Sequence, residues 1–119
     1  MQSILIAPPN SVVLVMDRSI GRIPWSMGDG IVSATRSCVA IGCRSESDGL
    51  TDIQLGSIQE HAPTDKLVFE GELATPSGTL SVFSVLYDEL LSAKVSQGKT
   101  HVKIFANDLT EPDRVTVLF

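Results

Sequence analysis

The sequence predicts an all-β protein, mainly antiparallel, folded as a β-sandwich or small barrel with little helix. Two observations carry that expectation. Short runs rich in Val, Ile, Thr and Phe recur along the chain, and β-branched and aromatic side chains suit a pleated, half-buried surface. Clusters of Gly, Pro, Asn and Asp separate those runs, the pattern of short strands joined by turns. The 119 residues are 43% hydrophobic. That is enough to bury one core without disulfides or metal, so residues 1–119 are expected to form a single domain.

The elements follow in order. Residues 3–7 and 11–17 are β-branched runs separated by a Pro8-Pro9-Asn10 turn. Residues 18–30 hold three glycines, Pro24 and the only tryptophan, Trp25, and predict a long loop of the kind that often carries function. Residues 31–33 and 37–43 read as strands. Ser45 to Gly49 reads as a turn whose Asp48-Gly49 pair is a hairpin signal, with 51–55 as the returning strand. The polar stretch 56–65, with Pro63, reads as loop. Over 66–73 strand alternation sets Leu67, Phe69, Gly71 and Leu73 on one face and Val68, Glu70 and Glu72 on the other. After a Pro76-Ser77-Gly78 turn, 79–86 places Leu80, Val82, Ser84 and Leu86 on one face. Residues 90–95 form the next strand. Gln97-Gly98 turns into 100–106, where Val102 and Ile104 face inward and His101 and Lys103 outward. Residues 115–119 close the chain as an exposed edge able to pair between copies. Segment 83–94 also has Leu86, Leu90 and Ala93 near helical spacing, so strand and helix both stay open there.

The formal charge is −5 and the sequence pI about 4.8. The 9 Lys and Arg residues are scattered, whereas binding a phosphate backbone needs them clustered. Direct nucleic-acid binding is therefore not expected. Acidity suits a partner with a basic face, a nuclease being one example, or serves only solubility. Cys38 and Cys43 lie on opposite faces of one extended strand. At about 3.3 Å per residue they are roughly 16 Å apart, beyond the reach of a disulfide. Buried free thiols suit a reducing cytoplasm, the expected location. The apolar runs 4–7 and 12–16 are broken by Pro8, Pro9 and Asn10 without a preceding basic stretch. No run approaches the roughly 20 residues of a membrane span.

Chemical motifs are incomplete. Gly98-Lys99-Thr100 matches the end of a phosphate-binding loop, but Ala93 stands where the first glycine belongs, and the flanks read as a hairpin. Glu46, Asp48 and Gly49 suggest a calcium loop that would begin at Arg44 and end at Leu55, without a carboxylate at either position. His61 and His101 have no second ligand at metal spacing. There is no Gly-x-Ser-x-Gly elbow, and neither cysteine adjoins a histidine. Asp88-Glu89 and the Glu111/Asp113 pair read as turn carboxylates. No catalytic residue, metal ligand or cofactor is expected, although a triad assembled across the fold stays open. Trp25, among Arg18, Arg22 and Asp29, has the setting of an interface anchor, or else caps one end of the core.

The order of segments carries one further reading. Residues 12–17 are followed by Pro24-Trp25 and Gly30-Ile31. A strand at 67–73 leads to Gly78-Thr79-Leu80-Ser81-Val82 and to 90–95. A Gly98 turn then leads into Val102-Lys103-Ile104-Phe105, and 113–119 ends the chain. This arrangement resembles the competence protein J family, which contains an inhibitor of a DNA-entry nuclease. The resemblance implies a non-enzymatic protein that binds and blocks another protein. The leading expectation is a protein-binding inhibitor or immunity-like protein acting by occlusion, with Trp25, Asp29, Asp48 and Asp52 as contacts. The alternatives are a small enzyme or ligand-binding sandwich with a cleft near 18–30, and a structural homo-oligomer subunit.

Overall fold

A computed structural model describes residues 1–28 and 30–119. The described residues form ten strands: β1 (Gln2–Ile6), β2 (Val12–Met16), β3 (Val32–Ala34), β4 (Cys38–Gly42), β5 (Thr51–Gly56), β6 (Lys66–Thr75), β7 (Thr79–Ser84), β8 (Glu89–Lys94), β9 (Gly98–Ala106) and β10 (Arg114–Leu118). Two short 3₁₀ turns, Pro9–Ser11 and Glu46–Asp48, are the helical content among them. Among the described residues no helix is long and apolar enough to cross a membrane.

The strands make two five-stranded sheets, β1-β5-β10-β9-β6 and β3-β4-β2-β7-β8, called sheets A and B below. All pairings are antiparallel except β5 with β10. Each sheet keeps two free edges, so the architecture is a sandwich and not a closed barrel. Alternation along the strands builds the interior. Val13, Val15, Val39, Ile41 and Val82 of sheet B meet Ile53, Leu55, Val102, Ile104, Val115 and Val117 of sheet A in one buried cluster. Segment 83–94 is strand, turn and strand, which removes the helical alternative.

Several expectations are corrected. Residues 115–119 are not an exposed edge. β10 lies between β5 and β9, and Val115, Thr116, Val117 and Leu118 are buried. Its Val-Thr-Val-Leu-Phe run is the composition of a strand covered on both faces. Asp48-Gly49 does not close a hairpin, because β4 belongs to sheet B and β5 to sheet A. The segment between them crosses the sandwich. Gln97-Gly98 likewise crosses from β8 to β9, and a strand follows it where a phosphate loop needs a helix. In β6 the register shifts between Leu67 and Phe69. That bulge turns Leu67 outward, 48% exposed, while Val68 joins Phe69 against the core. A second shift falls between Val82 and Phe83, and β7 ends at Ser84. Leu86 then sits 66% exposed in the turn to β8, off the face that alternation gave it.

Of the connections that stay within one sheet, the β5–β6 and β2–β3 loops cross its outer face. The loop after β5 lies over sheet A. Ile58 N–H donates to the Phe119 carbonyl at 2.7 Å, and the bare Gly56 backbone lets the His61 ring pack close. Arg114 donates Nε and Nη2 to Asp65 at 2.8 and 2.7 Å. This fork holds the Asp65 carboxyl below its ordinary range. The loop after β2 does the same for sheet B, and it carries the tryptophan.

Candidate interaction surface

The outer face of sheet B is apolar. Leu14, Met16, Cys38, Ala40 and Phe83 form a second buried cluster there. It cannot be left open to water, and Ile23 and Met27 of the loop pack onto it. The loop is therefore a strap from β2 to β3, fixed at both ends. At its root Asp17 is fully buried. The Asp17 carboxylate accepts from Ser19 N–H at 2.8 Å, Ser19 Oγ–H at 2.7 Å, Ser77 N–H at 2.9 Å and Ser77 Oγ–H at 2.7 Å. Burial pushes the carboxyl up, but the bonds from Ser77 and Ser19 together outweigh it and hold the group below its ordinary value. One step on, Arg22 N–H donates to Ser37 Oγ at 2.8 Å, and Thr35 Oγ1 donates to the Arg22 carbonyl at 2.6 Å. Arg18 pairs with Glu89 of β8 at 2.9 Å. At the far end Gly42 N–H donates to the Ile31 carbonyl at 2.7 Å.

Between the two partly buried anchors, Ile23 and Met27, the strap presents Trp25, which is 94% exposed. It does not cap the core. A free indole of that size exposes a large apolar area on a backbone already held by its neighbours. Ile20 is also largely exposed on the same strap.

Of the four residues picked out by sequence, the three that are described, Trp25, Asp48 and Asp52, do not converge. Asp29 lies outside the described residues. Asp48 sits in the crossing turn at one end of the sandwich. Its carbonyl accepts from Arg44, which also pairs with Asp113 at 3.6 Å. Arg44 N–H donates to the Pro112 carbonyl at 2.9 Å, so Glu46, Asp48, Glu111 and Asp113 share that end. Asp52 alternates outward from Ile53 on β5, on the outer face of sheet A, and accepts from Gln54 Nε2 at 3.0 Å. The sandwich separates it from Trp25. Sequence reasoning missed Leu86 and Tyr87, both largely exposed in the β7–β8 turn. It also missed the grouping of Arg22 and Arg36 beside a cleft of about 500 Å³ lined further by Ile20, Thr35, Ser37 and Ala74. That cleft lies where a pocket near 18–30 is expected, but its hydroxyls are occupied by the strap backbone and no histidine lines it.

Groups with catalytic potential are dispersed. His101 Nε2 meets Glu70 Oε2 at 2.7 Å on the outer face of sheet A, both exposed, with Lys103 at 3.9 Å. Cys38 lies under the strap and Cys43 in the sandwich interior, both free. Burial pushes both thiols up to about 12, far from the range of a nucleophilic thiolate. Among the described residues no group of three or more His, Cys, Asp or Glu is placed to hold a metal ion.

The sequence matches no known family profile and no curated protein. The fold does have a counterpart. The crystal structure of ComJ, inhibitor of the DNA degrading activity of NucA, from Bacillus subtilis, matches it with a TM-score of 0.66. The match covers 99% of this chain and 95% of that one at 7% identity. This chain has the fold seen in ComJ. At that identity the likeness is one of architecture, and it agrees with the fold expected from the order of segments in the sequence.

Proposed function

We propose that this chain is a protein-binding inhibitor that blocks a nuclease by covering its surface, and that the strap over sheet B is its contact face. The observation that carries the reading is Trp25, 94% exposed between two partly buried anchors of a pinned strap. Interface hot spots are enriched in tryptophan, and a rigidly held one loses little entropy on binding. The likeness in fold to an inhibitor of a DNA-degrading enzyme supports the choice of partner class. The charge of −5 suits a target that itself binds DNA. Asp48 and the carboxylates around it steer such a target from the rim, whereas Asp52, on the opposite face, is left out of the contact. The two free buried thiols fit action in a reducing cytoplasm.

Affinity capture from the source organism, followed by nuclease assays on what is retained, identifies the target. Trp25→Ala should then weaken binding by about 2 kcal/mol or more, roughly thirtyfold. Unchanged affinity in a folded Trp25→Ala protein removes the strap from the interface.

A further inference from the structure

At the root of the strap the cleft beside Arg22 runs into a second one of about 390 Å³, lined by Arg36, Glu72, Leu73, Ala74 and Lys99. The two share Arg36 and Ala74 and form one groove along β6. In a chain of net charge −5, that groove gathers three cations, Arg22, Arg36 and Lys99, against a single carboxylate, Glu72. Of the six cations elsewhere, Arg18, Arg44, Lys103 and Arg114 each meet a carboxylate within 4 Å, and only Lys66 and Lys94 among the described residues do not. Among the described residues, none of the groove's three cations meets one. Two of them are also held in place through their backbones. Arg22 is fixed by Ser37 and Thr35, and the Arg36 carbonyl accepts from Ala74 N–H at 3.0 Å. Unpaired guanidinium groups on fixed backbone form a pre-organised receptor for an anion.

We infer that this groove binds an acidic polypeptide segment of the partner, two or three carboxylates long. The choice rests on the proposal that the chain is an inhibitor, and it deepens it. A metal-dependent nuclease holds its divalent cation with clustered carboxylates, and such a cluster is what three cations along one groove would engage. The groove is short, and no further line of unpaired cations extends it. A nucleic acid carries a phosphate charge at every nucleotide and needs a longer basic track. The apolar floor at Leu73 and Ala74 and the wall at Ile20 suit a peptide backbone.

The test is an amide chemical-shift titration of the labelled full chain with hexaglutamate, repeated with the oligonucleotide dT6. Shifts confined to residues 20–22, 35–37, 72–74 and 99, weakened by salt, support the proposal. They should weaken by about tenfold in Arg36→Gln and in Lys99→Gln, the loss expected of one charge-assisted partner. Both side chains are exposed, so neither variant threatens the fold. No shifts with hexaglutamate, shifts spread over other surfaces, or tighter binding of dT6 in the groove overturns it. The probe contains no nuclease, so that failure leaves the inhibitor reading standing. Conversely, a chain that blocks no nuclease but binds hexaglutamate here keeps the groove and loses only the target.

Discussion

Replacing Asp17 with alanine tests how the strap is held. The side chain is fully buried and accepts four hydrogen bonds at 2.7–2.9 Å. Its loss strands the backbone N–H groups of Ser19 and Ser77, while the two hydroxyls can turn to other partners. A hydrogen bond to a charged group contributes about 1.5–3 kcal/mol, and bonds sharing one acceptor are not additive. The two stranded amides therefore dominate, and Asp17→Ala should cost about 3–5 kcal/mol. Against the ~5–15 kcal/mol typical of a whole domain, that is a large fraction. Asp17→Asn keeps one carbonyl acceptor and should cost about 2 kcal/mol. Urea unfolding followed by far-ultraviolet circular dichroism measures both, because an exposed Trp25 makes a poor reporter of the core. The folded carboxyl lies below its ordinary value of 3.8. Its contribution is thus fully present above that value and is lost as pH falls through the folded value. The gap between wild type and Asp17→Asn should narrow over the same interval. A cost below about 1 kcal/mol for Asp17→Ala, or a gap that does not change in acid, refutes the idea that this carboxylate clamps the strap.

Trp25→Ala should leave stability within about 0.5 kcal/mol of wild type, and wild-type Trp25 fluorescence should be quenched by acrylamide as readily as free indole; a protected indole would move Trp25 off the surface. Cys38 and Cys43 should react with a thiol reagent only at the rate of unfolding, given thiols pushed up to about 12. Rapid labelling of Cys38 in the folded protein would show that the strap opens. Leu73→Ala should cost about 2–5 kcal/mol and Leu67→Ala under about 1 kcal/mol in the same urea assay, because the bulge buries the first and exposes the second.

The fold was legible where alternation decides it. Val102 and Ile104 fall inward and His101 outward as spacing requires, and the five-residue separation of Cys38 and Cys43 does place them on opposite sides of sheet B. What alternation does not encode is which sheet a strand joins. Asp48-Gly49 and Gln97-Gly98 have the residues of tight turns, yet both connect strands in different sheets. A turn fixes only a local reversal, and the partner across the ladder is chosen by packing of whole faces. The bulge at Leu67 and Phe69 was invisible for the same reason: it depends on the partner strand and leaves no mark in the local run.

The candidate site shows the limit more sharply. Ile23, Trp25 and Met27 are spaced two apart, so an extended strap would put all three on one side. The chain bends at Trp25, which breaks the extended path. The structure then splits the set, with Ile23 and Met27 against the sheet and Trp25 in solvent. The two smaller side chains fill the space over Leu14, Ala40 and Cys38, and the largest apolar residue of the strap is left outside. Burying it would satisfy the isolated chain better, since an indole brings more apolar area than either anchor. A second surface that covered Trp25 would remove that disadvantage, which is what the proposed interface supplies.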